Sequence, residues 1–363
     1  MLISADRRPS TRELAAPARQ FSMTDAHHPF DALTAEVVMD ALGSVGLHVD
    51  GRMQALNSFE NRVYQLHLDQ GEQVVAKFYR PGRWTTDQIL EEHSFAHELI
   101  ANDVPLVGPM TLQGQTLHAF GGFHFSVSPR KGGRQVELDD EEVLMWMGRF
   151  LARLHTVGAR SAFVQRPALN IHSFGHEPVA QLLDSQLVPL EVQNAWRSTV
   201  KAALDLVAQH PGLAQTPNPA HTAGLIRLHG DCHPGNVLWT PLDAKAPAVP
   251  GPHFVDLDDA RMGPAVQDLW MLTQGDRAER TYQLSCLVEG YEQFRDFDRR
   301  ELALIEPLRT LRLIHYSAWL AQRWDDPIFP INFPWFGTRD YWEGQVQLLQ
   351  DQIEAMQEPP LMV

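Results

Sequence analysis

A chain of 363 residues, 44% hydrophobic and 21% charged, has the length and apolar content for one large or two medium globular domains, each burying its own core. Its 45 Asp and Glu outnumber 30 Lys and Arg, a formal charge of −15, so neither nucleic acid nor an anionic membrane surface is an expected partner, and cations that meet an anionic ligand must be gathered locally. No apolar run reaches 18 residues, so no membrane insertion is expected, and two cysteines, Cys232 and Cys286, make no disulfide framework and point to a reducing cytoplasm.

Residues 1–25 are polar, with Pro and Arg, and read as a disordered tail lacking the apolar core of a secretory signal. Met23, just before the better organised sequence, is a candidate start. Ala35 to Leu42 has helical periodicity suited to packing outside a first sheet. Val63–Leu68 and Gln73–Tyr79 alternate around the turn Asp69-Gln70-Gly71 and predict a β-hairpin. In its second strand Val74, Ala76 and Phe78 share one face, Val75, Lys77 and Tyr79 the other. A lysine inside an apolar strand is costly unless its ammonium meets an anion; the alternative is an edge-strand lysine that reaches water.

Thr85 or Thr86 caps a predicted helix, TDQILEEHSFAHELIAND, in which Glu91, Glu92 and Glu98 are candidate partners for Lys77. Two short strands follow around Gly121-Gly122, then a Pro- and Gly-marked hinge at 129–134. Asp139 or Asp140 starts an amphipathic helix to about His155, with Leu144, Met147, Leu151 and Leu154 on one stripe. His155 reads as a packed or capping histidine. The stretch from Ser161 to Pro219 offers a helix near Glu191–Ala208 and no readable function.

The most informative stretch runs from Leu228 to Trp270, reading LHGDCHPGNVLWT, a Pro-rich linker, then HFVDLDDARMGPAVQDLW. Asp231 and Asn236 stand five apart and Asp256 follows twenty residues later, with Val237–Trp239 and Phe254-Val255 as two short strands between them. Phosphoryl transfer from a nucleotide needs this inventory: one carboxylate to orient or deprotonate the attacking hydroxyl, and an amide oxygen and a second carboxylate to hold a metal against the phosphates. Asp231 is therefore the candidate base, Asn236 and Asp256 the candidate Mg²⁺ ligands. His229 and Asp268 are read as braces of the loop. Asp258 and Asp259 are second metal contacts or strand-end caps, and His233 steadies a phosphate or packs the loop. Helices near Arg277–Phe294 and Arg300–Trp324, an aromatic patch RWDDPIFPINFPWF read chiefly as packing, and a surface helix from Trp342 to Gln357 complete the chain.

The two blocks H-G-D-x-H-x-x-N and h-h-D-x-D-D-x-x-x-G-P-x-x-D-L (h, apolar) resemble the aminoglycoside phosphotransferase and choline kinase branch of the protein-kinase-like superfamily. That resemblance implies an α+β, two-lobed kinase-like fold. An N-terminal nucleotide-binding lobe, with an antiparallel sheet and a helix, would span 26–129, and a mostly helical catalytic and substrate lobe 130–363. It also implies that Lys77 meets the α/β-phosphates, that Glu92 is its helix partner with Glu91 and Glu98 solvated, and that Ser58 in the turn Asn57–Arg62 reaches the nucleotide. Asn61 in that turn contacts the site or merely shapes the chain, and Arg62 adds charge. The turn contains no glycine, unlike the Gly-rich loop of eukaryotic-type kinases. The strings NSFENRVYQ, VAKFYRPGRWTTDQILEEH, RLHGDCHPGN, FVDLDDARMGPAVQDLWML, RWDDPIFPINFPW and QEPPL are similar to those of the bacterial stress response kinase A family. Membership implies a cytoplasmic, ATP- and Mg²⁺-dependent kinase of protein Ser/Thr hydroxyls linked to envelope and oxidative stress; a monomer is expected. A small-molecule kinase, a metallohydrolase on His229, Asp231, His233 and Asp256, and a pseudokinase are the alternatives.

Overall fold

The computed structural model describes residues 29–214, 224–241, 244 and 249–363; the expected tail and most of the Pro-rich linker lie outside these. Ten helices and ten strands are named in chain order. The first half holds α1 (Ala35–Ser44), β1 (Val49–Ala55), β2 (Arg62–Leu68), β3 (Gln73–Phe78), α2 (Thr86–Ala101), β4 (His118–Phe120), β5 (Phe123–Pro129), β6 (Arg134–Gln135) and α3 (Glu141–Gly158). The second holds α4 (Glu177–Asp184), α5 (Leu190–Val207), β7 (Ile226–Leu228), β8 (Val237–Thr240), β9 (Gly251–Phe254), β10 (Arg261–Gly263), α6 (Val266–Trp270), α7 (Arg277–Glu292), α8 (Ile305–Gln322), α9 (Ile328–Asn332) and α10 (Arg339–Gln357).

Five antiparallel strands form one sheet in the order β1-β2-β3-β5-β4. The alternation of β3 decides its two faces. Val74, Ala76 and Phe78 are buried with Val38, Ala41 and Leu42 of α1 in one apolar cluster, while Lys77 points to the opposite side. The hairpin and its register, with Val63 opposite Lys77, agree with the pattern. Strand β1 was not expected: VDGRMQA is mostly exposed and carries a register shift against β2, so its sequence lacks a clean alternation.

Thr85 caps α2 through a capping box with Gln88, and Asp140 caps α3 by accepting from Glu142 and Val143 N–H. Beyond Pro129 the chain passes through 130–133 into β6, which pairs with β8 in a second, three-stranded sheet. The large apolar core of this part runs from α3 through α5, α7, α8 and α10. At one helix crossing a Cβ on Gly148 of α3 would lie 2.0 Å from Leu287 O of α7, so only glycine fits there. The last helix is no mere surface helix: Trp342 is fully buried, edge-on to Trp196 of α5. The aromatic patch is packing at Phe329 and Phe336, which are buried, while Ile331 and Trp335 remain exposed.

Candidate active site

Strands β8 and β9 pair antiparallel with Val237 opposite Phe254, and Val255 N–H donates to Asn236 O at 3.0 Å. This hairpin sets Asn236, the residue just before β8, against Val255, so that Asp256 follows directly on the paired end, which is why a twenty-residue separation still forms one site. Asn236 Nδ2 donates to Asp231 O at 3.0 Å, leaving the amide oxygen as its donor atom for a cation. Asp256 adopts a left-handed conformation, φ 62° and ψ 73°, uncommon for a non-glycine residue, and its side chain is 48% exposed.

The loop around Asp231 is held from beneath. The buried Asp268 carboxylate accepts from His229 N–H and Gly230 N–H, each at 2.9 Å, and lies 3.0 Å from His155 Nε2. His155 in turn meets Tyr291 OH at 3.0 Å, so it is a packed histidine at the base of the site. His229 turns Nε2 to Val255 O at 3.0 Å. Both residues therefore brace the loop. Gly230, φ +84°, has Asp259 O 2.1 Å from where a Cβ would sit.

Lys77 Nζ lies 2.9 Å from Asp256 Oδ1 and 2.9 Å from Asp258 Oδ1. Burial alone would depress its pKa, but the Asp256 and Asp258 carboxylates outweigh it and hold the ammonium well above its ordinary value. The expected direct pairing with Glu92 is corrected: Glu92 is bonded to Arg166 Nη2 at 2.7 Å and acts on Lys77 only through its charge. Burial pushes Glu92 upward against the pull of Lys77 and Arg166. Its neighbours, partly exposed, are not left to solvent alone. Glu91 accepts from the backbone N–H groups of Val164, Gln165 and Arg166, and Glu98 pairs with Arg227 at 2.8 Å.

Asp258 is buried, flanked by Lys77, by Arg83 at 3.2 Å and by Asn61 Nδ2 at 3.2 Å. Burial opposes its ionisation, yet the Lys77 and Arg83 charges hold it well below the carboxylate range. Asp259 is paired with Arg83 and Arg261, each at 2.7 Å. Asn61 is thus more than a turn former, since its Oδ1 also accepts from Arg80 N–H at 3.0 Å. Arg62 is engaged with Asp326 at 3.1 Å. Ser58 lies in the turn between β1 and β2.

Sequence reasoning missed the guanidinium groups of Arg83 and Arg261 around Asp258 and Asp259, and two more, Arg166 and Arg312. Arg166 donates to Asp258 O, Ala260 O and Glu92 from a stretch without a motif. Arg312 of α8 lies 2.7 Å from Asp231 Oδ1; a charged residue within the apolar run LRLIHYSAWL was the available signal. Burial works against the Asp231 carboxylate, but Arg312 and then His233 hold its pKa below the usual range. His233 Nε2 lies 3.5 Å from Asp231 Oδ2, and burial depresses its pKa, keeping it neutral near pH 7. Beside the acidic cluster, a cavity of about 210 Å³ is lined by Arg83, Asp259, Arg261, His315, Trp319 and Arg323 among others.

An amide oxygen and a carboxylate oxygen make a hard donor set, suited to a divalent cation that takes its remaining ligands from phosphates and water. No group of three or more His, Cys, Asp or Glu side chains among the described residues is arranged to hold a metal alone. The metallohydrolase alternative lacks its cluster there, with His229 turned to a backbone carbonyl.

Residues 52–305 match the phosphotransferase enzyme family. The chain belongs to that family. Stress response kinase A of Escherichia coli (strain K12) is 45% identical over 341 residues, 94% of this chain and 99% of that protein. The serine/threonine protein kinase RdoA of Salmonella typhimurium is 43% identical over the same shares. Among solved structures, the amicoumacin kinase hAmiN, in complex with AMP-PNP, Ca²⁺ and Ami, superposes with a TM-score of 0.66 at 18% identity, covering 90% of this phosphotransferase and 94% of that chain. A spectinomycin phosphotransferase follows at 0.59 and 12%, covering 89% of this chain. At such identities these two structures report the fold, which is the α+β two-lobed kinase-like one. No helix among the described residues is long and apolar enough to cross a membrane.

Proposed function

We propose that this phosphotransferase is an ATP- and Mg²⁺-dependent Ser/Thr protein kinase of the stress response kinase A type. The carrying observation is that Asn236 is bonded to Asp231 O and to Val255 N–H, next to Asp256, whose carboxylate lies 2.9 Å from Lys77 Nζ. The relatives near 45% identity, one of them named a serine/threonine protein kinase, support the acceptor class. In this reading the nucleotide binds against the sheet formed up to Pro129, and the helical part beyond it carries transfer and acceptor binding. The two cysteines, both buried and free, suit a cytoplasmic setting.

Asp231 accepts the proton of the attacking hydroxyl; its ionised state is favoured by Arg312. Asn236 and Asp256 hold the divalent cation, which when bound supplies neutralising charge to the phosphate oxygens. Lys77 exchanges one of its two carboxylate partners for phosphate oxygens, so its ammonium stays paired throughout. Glu92, fixed by Arg166, keeps negative charge behind Lys77, and Ser58 meets the nucleotide from the turn above. Positioning and electrostatics supply most of the acceleration in such chemistry.

The test is transfer of labelled γ-phosphate from Mg·ATP to a generic protein acceptor and to the protein itself, beside Asp231→Ala and Asp256→Ala. Both variants should lose transfer by about a hundredfold or more. Labelling on Ser and Thr that both abolish supports the reading. ATP binding with no labelled protein would move the acceptor to a small alcohol, and a chain that binds no ATP would end the proposal.

A further inference from the structure

Arg312 differs from every other guanidinium around the cleft. Arg83 meets Glu60, Asp258 and Asp259; Arg166 meets Glu92 and four carbonyls; Arg261 meets Asp259 twice; Arg323 meets Glu60 and two further oxygens. These four are nearly buried and their N–H groups are largely used. Arg312 is 31% exposed and is paired, among the described residues, with the one oxygen of Asp231. A guanidinium carries five N–H donors in a planar fork, so most of them remain available beside the carboxylate to which an acceptor hydroxyl must come.

The anionic side of the cleft is differently disposed. Asp256 is paired with Lys77, and Asp258 and Asp259 are each held by two cations. An ammonium-bearing acceptor therefore finds these three carboxylates already neutralised, Glu177 on the cavity wall standing apart from them beside His172 at 2.9 Å, whereas an anion finds the remaining N–H groups of Arg312. One turn farther along α8 the cavity of about 210 Å³ begins at His315. The exposed Tyr316 ring, stacked on Trp319 at 5.8 Å, continues the same helix. His315, pushed down to about 3 by burial and by Arg261, is neutral and does not compete for the anion.

We propose that Arg312 is a specificity-determining residue that binds an anionic group adjacent to the accepting hydroxyl, in a protein substrate the side chain of a flanking Asp or Glu. The proposal rests on the Ser/Thr kinase reading for the identity of the acceptor, not for the chemistry of the contact. As the hydroxyl approaches Asp231, the acidic flank takes the unused N–H groups of Arg312 in a charge-assisted fork, and the hydroxyl is thereby fixed over the base.

The experiment compares three Ser peptides of equal length that carry Glu, Gln or Lys beside the serine, with the wild-type chain, Arg312→Gln and Arg312→Lys. Wild type should favour the Glu peptide over the Lys peptide in kcat/KM by on the order of tenfold, mostly through KM, the size of one charge-assisted contact at a partly exposed site. In Arg312→Gln the ratio should collapse to about twofold or less, and Arg312→Lys should restore part of it, since lysine keeps the charge but not the fork. A wild-type enzyme indifferent to the flank overturns the proposal without any variant. So does an Arg312→Gln enzyme that slows equally on all three peptides and in acceptor-free ATP hydrolysis, because Arg312 would then serve only the base. If wild type labels no peptide, the Ser/Thr reading fails by itself. The same ratio is then read as ADP release with glycerate, glycerol and ethanolamine as small acid, neutral and amine acceptors. Preference for glycerate that Arg312→Gln abolishes upholds the assignment, and preference for ethanolamine overturns it.

Discussion

Asn61 is where the glycine-free turn touches the acidic cluster: one amide bridges the buried Arg80 N–H and the Asp258 carboxylate. Replacing it by alanine leaves a buried donor unmet as well as one lone pair of Asp258, and unmet buried groups cost more than the bond itself contributes. Asn61→Ala should lower the unfolding free energy by about 1–3 kcal/mol in urea titrations; a change within 0.5 kcal/mol would show that water substitutes for both bonds. At Gly230 the demand is steric and conformational together. Alanine there meets Asp259 O at 2.1 Å and a positive φ, so the loop carrying Asp231 must shift. Misplacement on the order of an ångström costs about a hundredfold in transfer. Gly230→Ala should therefore lose that much kcat while the chain still folds, as judged by circular dichroism; full kcat would mean that the loop's position is not what limits transfer.

At the scale of elements, the short helix α6 carries the brace of the site, and its N-terminus is held by Glu301, whose carboxylate accepts from Val266 N–H at 2.8 Å. Burial raises the Glu301 pKa to about 7, against the pull of that backbone bond. A carboxyl raised in the folded state binds its proton more tightly there than in the unfolded chain. Its contribution to stability is full below about 4.5, the unfolded value, and is lost as pH rises towards about 7. Glu301→Gln keeps an acceptor for Val266 and removes the titration. Its melting temperature, relative to wild type, should therefore rise between pH 4.5 and pH 7, by an amount worth about 3 kcal/mol at most; parallel melting curves would refute the shift. The elements bearing the site were legible because each has a local cause: the alternation of β3, the capping box of α2, the D-x-x-x-x-N turn and the apolar strands around it. What was not legible came from pairing between distant segments. Glu92 and Lys77 share a local pattern, but Arg166, some seventy residues on, captures the glutamate, and no periodicity announces it. Likewise β1 is a strand because β2 offers a partner, its own side chains being mostly exposed.

Across the whole molecule, the sheet and the helical part are joined by buried charge as well as by the chain. Glu60, in the turn between β1 and β2, accepts from Trp319 Nε1 of α8 and from Arg323 Nε just past its end, each at 2.6 Å, and pairs with Arg80 at 3.1 Å and with Arg83. Arg80 continues to Asp326 at 2.8 Å, and Phe59 beside it packs edge-on to Phe333 at 5.0 Å. The aromatic patch that sequence reading assigned to packing is therefore the counter-surface of the turn between β1 and β2. Its role was hidden because Glu60 and Arg323 are over two hundred and sixty residues apart. Removing one member of such a network strands the others, and an uncompensated buried charge costs far more than an exposed pair contributes. Glu60→Ala leaves three guanidinium groups and an indole N–H without their shared carboxylate, and should cost about 3–5 kcal/mol in denaturant unfolding. Because the group is buried, that cost should persist when ionic strength rises from 0.1 to 1 M, where the Debye length falls from about 10 to about 3 Å. A cost below about 1 kcal/mol, or one that salt erases, would mean that these charges are solvated and that the two halves are held together by apolar contact alone.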